Sequence, residues 1–351
     1  MPFSGGLKHD MLLGCCCLPA VIIIFIWGFT FHHIPEASVA ANGALTLAFG
    51  ANKRWEGSFL SLLSVTALGL TLSTWLGCLA GNSIFLYIGG AIAYAALYIA
   101  LIGIDSAAWW MVLQWAIIYL VSGYYSGDIV HASQRAGLVL SGSVLQIFFL
   151  VAVFRRYAFH LKQVTPHLWF SHFCSRAQKY RRHIHFGWSV FWTVIAMAVA
   201  AVGANKLQLP NGYWSGMTLL LCLRNDYRDS FSRIHARIFG TLAGSLLAAE
   251  LIVQCDSPLF LVTGFILFGY IAITFSYSLI ARSYLVFTFF ITMMMIFMLA
   301  CMGISQTNVA SERLVATLLG GVCALIAITL TRICARYHLA RRIKIHHQYH
   351  R

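Results

Sequence analysis

Apolar runs of bilayer-crossing length alternate with short polar breaks along nearly the whole chain. About 20 predominantly apolar residues make a helix long enough to span a membrane. Every backbone group must be satisfied inside the bilayer, so such runs predict helices and not loops. Six segments fall in residues 11–31, 36–49, 57–79, 84–104, 107–124 and 135–154. Six more fall in 186–204, 212–223, 237–252, 258–280, 284–303 and 313–331. The second and eighth are too short to cross as straight helices. Nothing alternates with the period of two that marks an outer-membrane barrel. The expected fold class is therefore an all-α, polytopic membrane protein with two homologous six-helix halves.

The polar breaks divide the chain. Residues 1–154 form the first transmembrane half and 186–331 the second. Between them, 155–185 carries seven Lys or Arg residues and no acid, and 332–351 is a basic tail. Positive loops stay in the cytoplasm. Twelve segments put both termini and the linker there, and leave only Arg135, Lys206 and Arg313 on the far side.

Composition agrees with the pattern: 60% of the 351 residues are hydrophobic and 10% charged. The formal charge of +14 sits in clusters beside apolar runs, which suits a bilayer and excludes nucleic acid as the expected partner. The ten cysteines show no metal-ligand spacing. No phosphate-binding loop, nucleophile elbow or zinc motif is present, so neither an enzyme nor a cofactor or metal is expected.

Internal repetition adds a second layer. Ile34-Pro35-Glu36-Ala37-Ser38 before the first short segment parallels Leu209-Pro210-Asn211-Gly212-Tyr213 before the second. Arg237-Ile-Phe-Gly240-Thr241-Leu-Ala-Gly244 parallels Arg313-Leu-Val-Ala316-Thr317-Leu-Leu-Gly320, with weaker echoes at Arg54 and Arg135. Starting from opposite membrane sides, the two fit inverted three-helix repeats within each half, an architecture that secondary transporters use. Small residues at such spacing also serve plain helix packing.

Gly212-Tyr213-Trp214, the short apolar run after it, the Arg237–Gly244 motif and the duplicated layout resemble the FUSC family. These are fusaric-acid-resistance and aromatic-acid-exporter-like inner membrane proteins. The resemblance implies a multi-pass protein of a bacterial inner membrane that moves small organic anions, with homo-oligomers left open. The large cytoplasmic domains of many members are missing here, and the first half has Ser38-Val39 near the place of the Tyr-Trp pair. The family also looks related to plant aluminium-activated malate transporters, which implies a basic pore between the two halves.

The residues expected to meet an anion are Arg54, Arg135, Arg237 and Arg313, with Thr241 and Thr317 one turn past the last two. A guanidinium stays charged in a low-dielectric path and grips a carboxylate with two donors. Basic residues also anchor helix ends with no pathway involved. Tyr213 and Trp214 open a short helix whose N-terminus attracts anions, though aromatics also line membrane interfaces. Glu250 is the one acid well inside an apolar run, and so a candidate proton carrier. Three functions stay open: an exporter of organic carboxylates, a passive anion channel, and a scaffold or enzyme with no transported solute.

Overall fold

The computed structural model describes residues 7–55, 58–153, 166–181, 184–209, 211–224, 226–277, 281–303 and 309–349. It is all-helical: α1 Leu7–Cys16, α2 Leu18–Thr30, α3 Ile34–Ala48, α4 Phe59–Ala80, α5 Ile84–Leu101, α6 Ser106–Tyr124 and α7 Ile129–Val153. There follow α8 Pro166–Arg181, α9 Ile184–Lys206, α10 Tyr213–Cys222, α11 Tyr227–Gln254, α12 Pro258–Tyr277, α13 Ala281–Cys301 and α14 Val309–Tyr349. Among the described residues ten stretches are long and apolar enough to cross a membrane, with α1 and α2 together making one of them. This is a multi-pass membrane protein. The two short apolar helices expected from the sequence are α3 and α10, of 15 and 10 residues, and both are deeply buried.

Local chemistry sets the breaks. Pro19 and Pro35 sit in the first turns of α2 and α3, where a missing N–H costs nothing. Asp105 caps α6, its Oδ1 accepting from the N–H groups of Ala107 and Ala108 at 2.9 Å. Its other oxygen takes Arg176 of α8 at 3.0 Å, which ties the linker helix to the α5–α6 turn. Residues 155–165 and 182–183 of the expected linker, and Pro210, lie outside the described residues.

Three arginines read as segment starts lie inside longer helices. Arg237 comes ten residues after the first residue of α11, Tyr227. That is about 15 Å along the axis at 1.5 Å per residue. Arg135 and Arg313 fall within the second turns of α7 and α14. A charged residue does not by itself end a helix, and the backbone runs straight through all three. The basic tail continues α14 to Tyr349.

Helix pairing follows one scheme in two blocks. In the first, α4 packs on α6 and α7, α3 on α7, α5 on α6, and α2 on α3. In the second, α11 packs on α13 and α14, α10 on α14, α12 on α13, and α9 on α10. The blocks meet reciprocally: α9 lies on α5, and α1 and α2 lie on α12. Two glycines allow close approach to the short helices. A methyl on Gly142 of α7 would strike the Ala40 carbonyl of α3, and one on Gly320 of α14 would strike the Ser215 carbonyl of α10.

Two buried tyrosines finish the short helices. A helix that stops inside the bilayer leaves its last carbonyls without partners. The hydroxyl of Tyr98, at the end of α5, donates to the terminal carbonyls of α10, with oxygens at 2.6 Å (Leu220) and 3.0 Å (Leu223). The hydroxyl of Tyr277, at the end of α12, donates to the Ala48 carbonyl that ends α3. Each block thus completes the short helix of the other.

Candidate functional site

The second block leaves a cavity of about 790 Å3 against the first. That is within the few hundred to a thousand Å3 of typical small-molecule sites. Its walls come from α3 and α6 on one side and from α10, α11, α12, α13 and α14 on the other. The exposed carboxylates Asp226 and Asp229 mark its mouth, at the turn between α10 and α11. Its inner end is dry protein, where Arg313, Trp214, Arg237 and Tyr213 are 1%, 2%, 3% and 5% exposed.

The sequence pattern builds that inner end. The buried face of α11 runs through Ile234, Arg237, Gly240, Thr241, Gly244, Ser245 and Ala248, at steps of three and four. Gly240 and Gly244 bring this face against Thr288 and Thr292 of α13. Gly320 draws α14 onto α10, which brings Arg313 over the Trp214 ring with 3.7 Å from guanidinium carbon to ring centroid. Arg313 Nη1 donates to the Thr292 carbonyl at 3.3 Å.

Three further guanidinium nitrogens of this pair are unsatisfied. Nη2 of Arg313 and both Nε and Nη1 of Arg237 are buried without a hydrogen-bond partner. Among the described residues neither arginine has a carboxylate within ion-pair distance; the acids near the cavity pair elsewhere or lie at the mouth. Both side chains border the same cavity, so two buried positive charges face one space. Native proteins satisfy or pair nearly all such groups. The arrangement is therefore suited to receive an anion with oxygens in a plane. The hydroxyls of Thr241, Ser245, Thr218 and Thr292 are also buried without partners, although none of them borders the cavity.

The mouth has its own cluster. Arg233 bonds Asp229 at 3.3 Å and lies over the Tyr284 ring at 4.4 Å. Arg224 stands 4.0 Å from Asp229, donates to the Tyr98 hydroxyl at 3.2 Å, and stacks on Trp109 at 4.5 Å. Lys53 approaches from the turn after α3, and burial, reinforced by the nearby Arg224 charge, lowers its pKa. Aromatic and thioether side chains, among them Trp109, Trp110, Met294, Met295 and Met298, line the space between mouth and arginine pair.

Four of the expected site residues, Tyr213, Trp214, Arg237 and Arg313, therefore meet at one cavity. Thr241 and Thr317 are buried one turn beyond their arginines but do not border it. Arg54 is exposed beside Lys53 and does not border it either. Arg135 stands apart, over the Tyr125 ring at 4.9 Å, at a void of only about 20 Å3. Glu250 is on the exposed face of α11, accepting from Gln254 Nε2 at 2.8 Å, away from the cavity. The two lead arginines were expected at opposite membrane mouths, yet they share one chamber, because α11 begins well before Arg237. Sequence reasoning missed Lys53, Trp109 and the mouth role of Arg224 and Arg233. For Arg224 and Arg233 the signal was the dense run of arginines and aspartates that leads into α11.

Residues 194–327 match the family model described as fusaric acid resistance protein-like. An uncharacterized protein of Synechocystis is 32% identical over 128 residues, a match covering 36% of this chain and 16% of that protein. This chain thus corresponds to a small part of that relative's length. No solved structure matches. A fusaric acid resistance-like region set among ten apolar, bilayer-length helices fits a role in transport or efflux across a membrane. The family match runs from within α9 to within α14 and takes in Tyr213, Trp214, Arg237 and Arg313, and over that region the chain is similar to the fusaric acid resistance protein-like family.

Proposed function

We propose that the protein exports organic carboxylate anions across a bacterial inner membrane, through a path between two duplicated six-helix blocks. The observation that carries this is the pair of buried guanidiniums, Arg237 and Arg313, with unpartnered N–H groups at one 790 Å3 cavity. The carboxylate sits on the pair, and the apolar body of the solute lies against Trp109, Trp110, Trp214 and the methionines. Trp214 offers a ring face on which an aromatic acid can stack.

The duplication is supported by the shared pairing scheme, the reciprocal Tyr98 and Tyr277 caps, and the matched approaches at Gly142 and Gly320. Inverted repeats within the second block find support in Gly244 and Gly320. Each occupies the same place in its Arg-x-x-small-Thr-Leu-x-Gly run, and each meets a carbonyl of its partner helix, Phe289 or Ser215. The charge distribution favours cytoplasmic termini, which makes the Asp226 mouth the loading side.

Reconstituted full-length protein tests the reading. Vesicles are assayed for flux of labelled benzenesulfonate, a permanently ionised ring-bearing anion that does not leak as a neutral acid, beside malate and chloride. Saturable flux of the ring-bearing anion, reduced about tenfold or more but still measurable in Arg237→Gln and Arg313→Gln, is the expected outcome. Absence of flux for all three anions from folded protein rejects the anion path.

A further inference from the structure

Resting on the anion-path reading, we infer that transport is an obligatory exchange, in which the cavity returns across the membrane only when another anion occupies it. The argument is a charge count. Among the described residues the cavity lining carries Lys53, Arg224, Arg233, Arg237 and Arg313 against Asp226 and Asp229 alone. At the mouth, Asp229 is shared between Arg233 and Arg224, and Asp226 is exposed. That leaves Arg237 and Arg313 at the dry end with no acid of their own. The described side chains beside them are neutral: Tyr213 and Trp214 at Arg313, and Cys222 and Tyr284 at Arg237. Glu312, next to Arg313 in sequence, is held by Asn211 at 3.2 Å and does not border the cavity.

In the open state, water and counterions screen the pair. Any movement that carries the site across must pass through a state closed to both sides. An empty closed state holds two like charges in low dielectric with nothing between them, the costly situation of a buried unpaired ion. A bound anion supplies the missing charge and the acceptor oxygens for the unpartnered N–H groups. The loaded form therefore crosses readily and the empty form does not, which makes flux in one direction depend on anion in the other. Glu250 has no part in this cycle, since it faces away from the cavity.

The test measures labelled benzenesulfonate uptake into vesicles holding the full-length protein. Valinomycin and potassium clamp the voltage. One set of vesicles contains unlabelled benzenesulfonate, the other potassium polyglutamate, a polyanion too large for the cavity. We expect uptake at least tenfold faster into the first set. Arg237→Gln, which lowers the stranded charge, should bring that ratio below about threefold whatever its absolute rate, and Arg237→Lys, which keeps the charge, should retain it. Equal uptake into both sets by the wild type overturns exchange while leaving the anion path standing. An undiminished ratio in Arg237→Gln removes the charge count as its cause. No uptake into either set by folded protein, with none for malate or chloride, rejects the underlying path as well.

Discussion

Two arginines stand in the same position of the packing scheme and live in different surroundings. Arg135 of α7 and Arg313 of α14 each precede, by seven residues, the glycine that touches the short helix. Arg313 is 1% exposed, covers an indole, and borders 790 Å3 of space. Arg135 is half-buried, covers a phenol, and borders about 20 Å3, room for roughly one water. The neighbours explain the difference. α3 presents Ala37, Ala40, Ala41 and Ala44, which let helices close up, whereas α10 presents Tyr213, Trp214 and Met217, which hold them apart. The buried face of α4 offers Leu62, Thr66 and Leu70, whereas that of α11 offers Arg237, Thr241 and Ser245. The two blocks share one pairing scheme, and the buried arginine pair at the cavity lies in the second.

The largest effect should fall on the shared scaffold, and equally in both blocks. Gly142→Val and Gly320→Val both put a side chain into a backbone carbonyl, so neither variant should yield monodisperse protein in detergent. Gel filtration decides it. A well-folded Gly142→Val beside a lost Gly320→Val would break the equivalence of the blocks.

The arginines should then separate the blocks. A charge-assisted hydrogen bond contributes about 1.5–3 kcal/mol, so Arg237→Gln or Arg313→Gln should reduce apparent affinity or flux about tenfold or more. Arg→Lys at either site should recover only part, because the planar fork is lost. Arg135→Gln should change flux by less than about threefold. A loss at Arg135 as deep as at Arg313 would make the small void a second working site.

Much of the scaffold was legible from hydrophobic run length, since the bilayer demands long apolar helices and reveals short ones by contrast. Helices α3 and α10 stood out for that reason. The cavity was only partly legible. The repeated motif singled out Arg237 and Arg313, but a charge inside an apolar helix reads as its end. That error separated two side chains that share one space. Trp109 and Lys53 come from distant breaks in the chain and meet the site only through packing, which no local pattern encodes. Glu250 looked embedded because its helix is apolar, yet periodicity puts it on the outer face, two residues past the buried Ala248.

Smaller effects refine the contrast. Trp214→Ala removes a cation–π contact of about 0.5–2 kcal/mol and should weaken ring-bearing anions more than chloride, by roughly threefold to tenfold. Competition of each anion against labelled benzenesulfonate measures it. Equal losses for chloride and benzenesulfonate would deny the ring a place on the indole. Glu250→Gln should alter flux, with or without a pH gradient, by less than about twofold. The mouth should show a mild pH dependence. Lys53 has a lowered pKa, so raising pH removes its charge before that of an ordinary lysine. Apparent affinity should fall about twofold across that alkaline range, and Lys53→Arg should abolish the fall.

The central claim is that Arg237 and Arg313 together hold one anion, and equilibrium binding tests it without transport. Titration calorimetry of benzenesulfonate into the purified full-length protein should give one site per chain. The Arg237→Gln/Arg313→Gln double variant should show no measurable site, while Arg135→Gln binds as the wild type does. Wild-type affinity in a folded double variant would contradict the account.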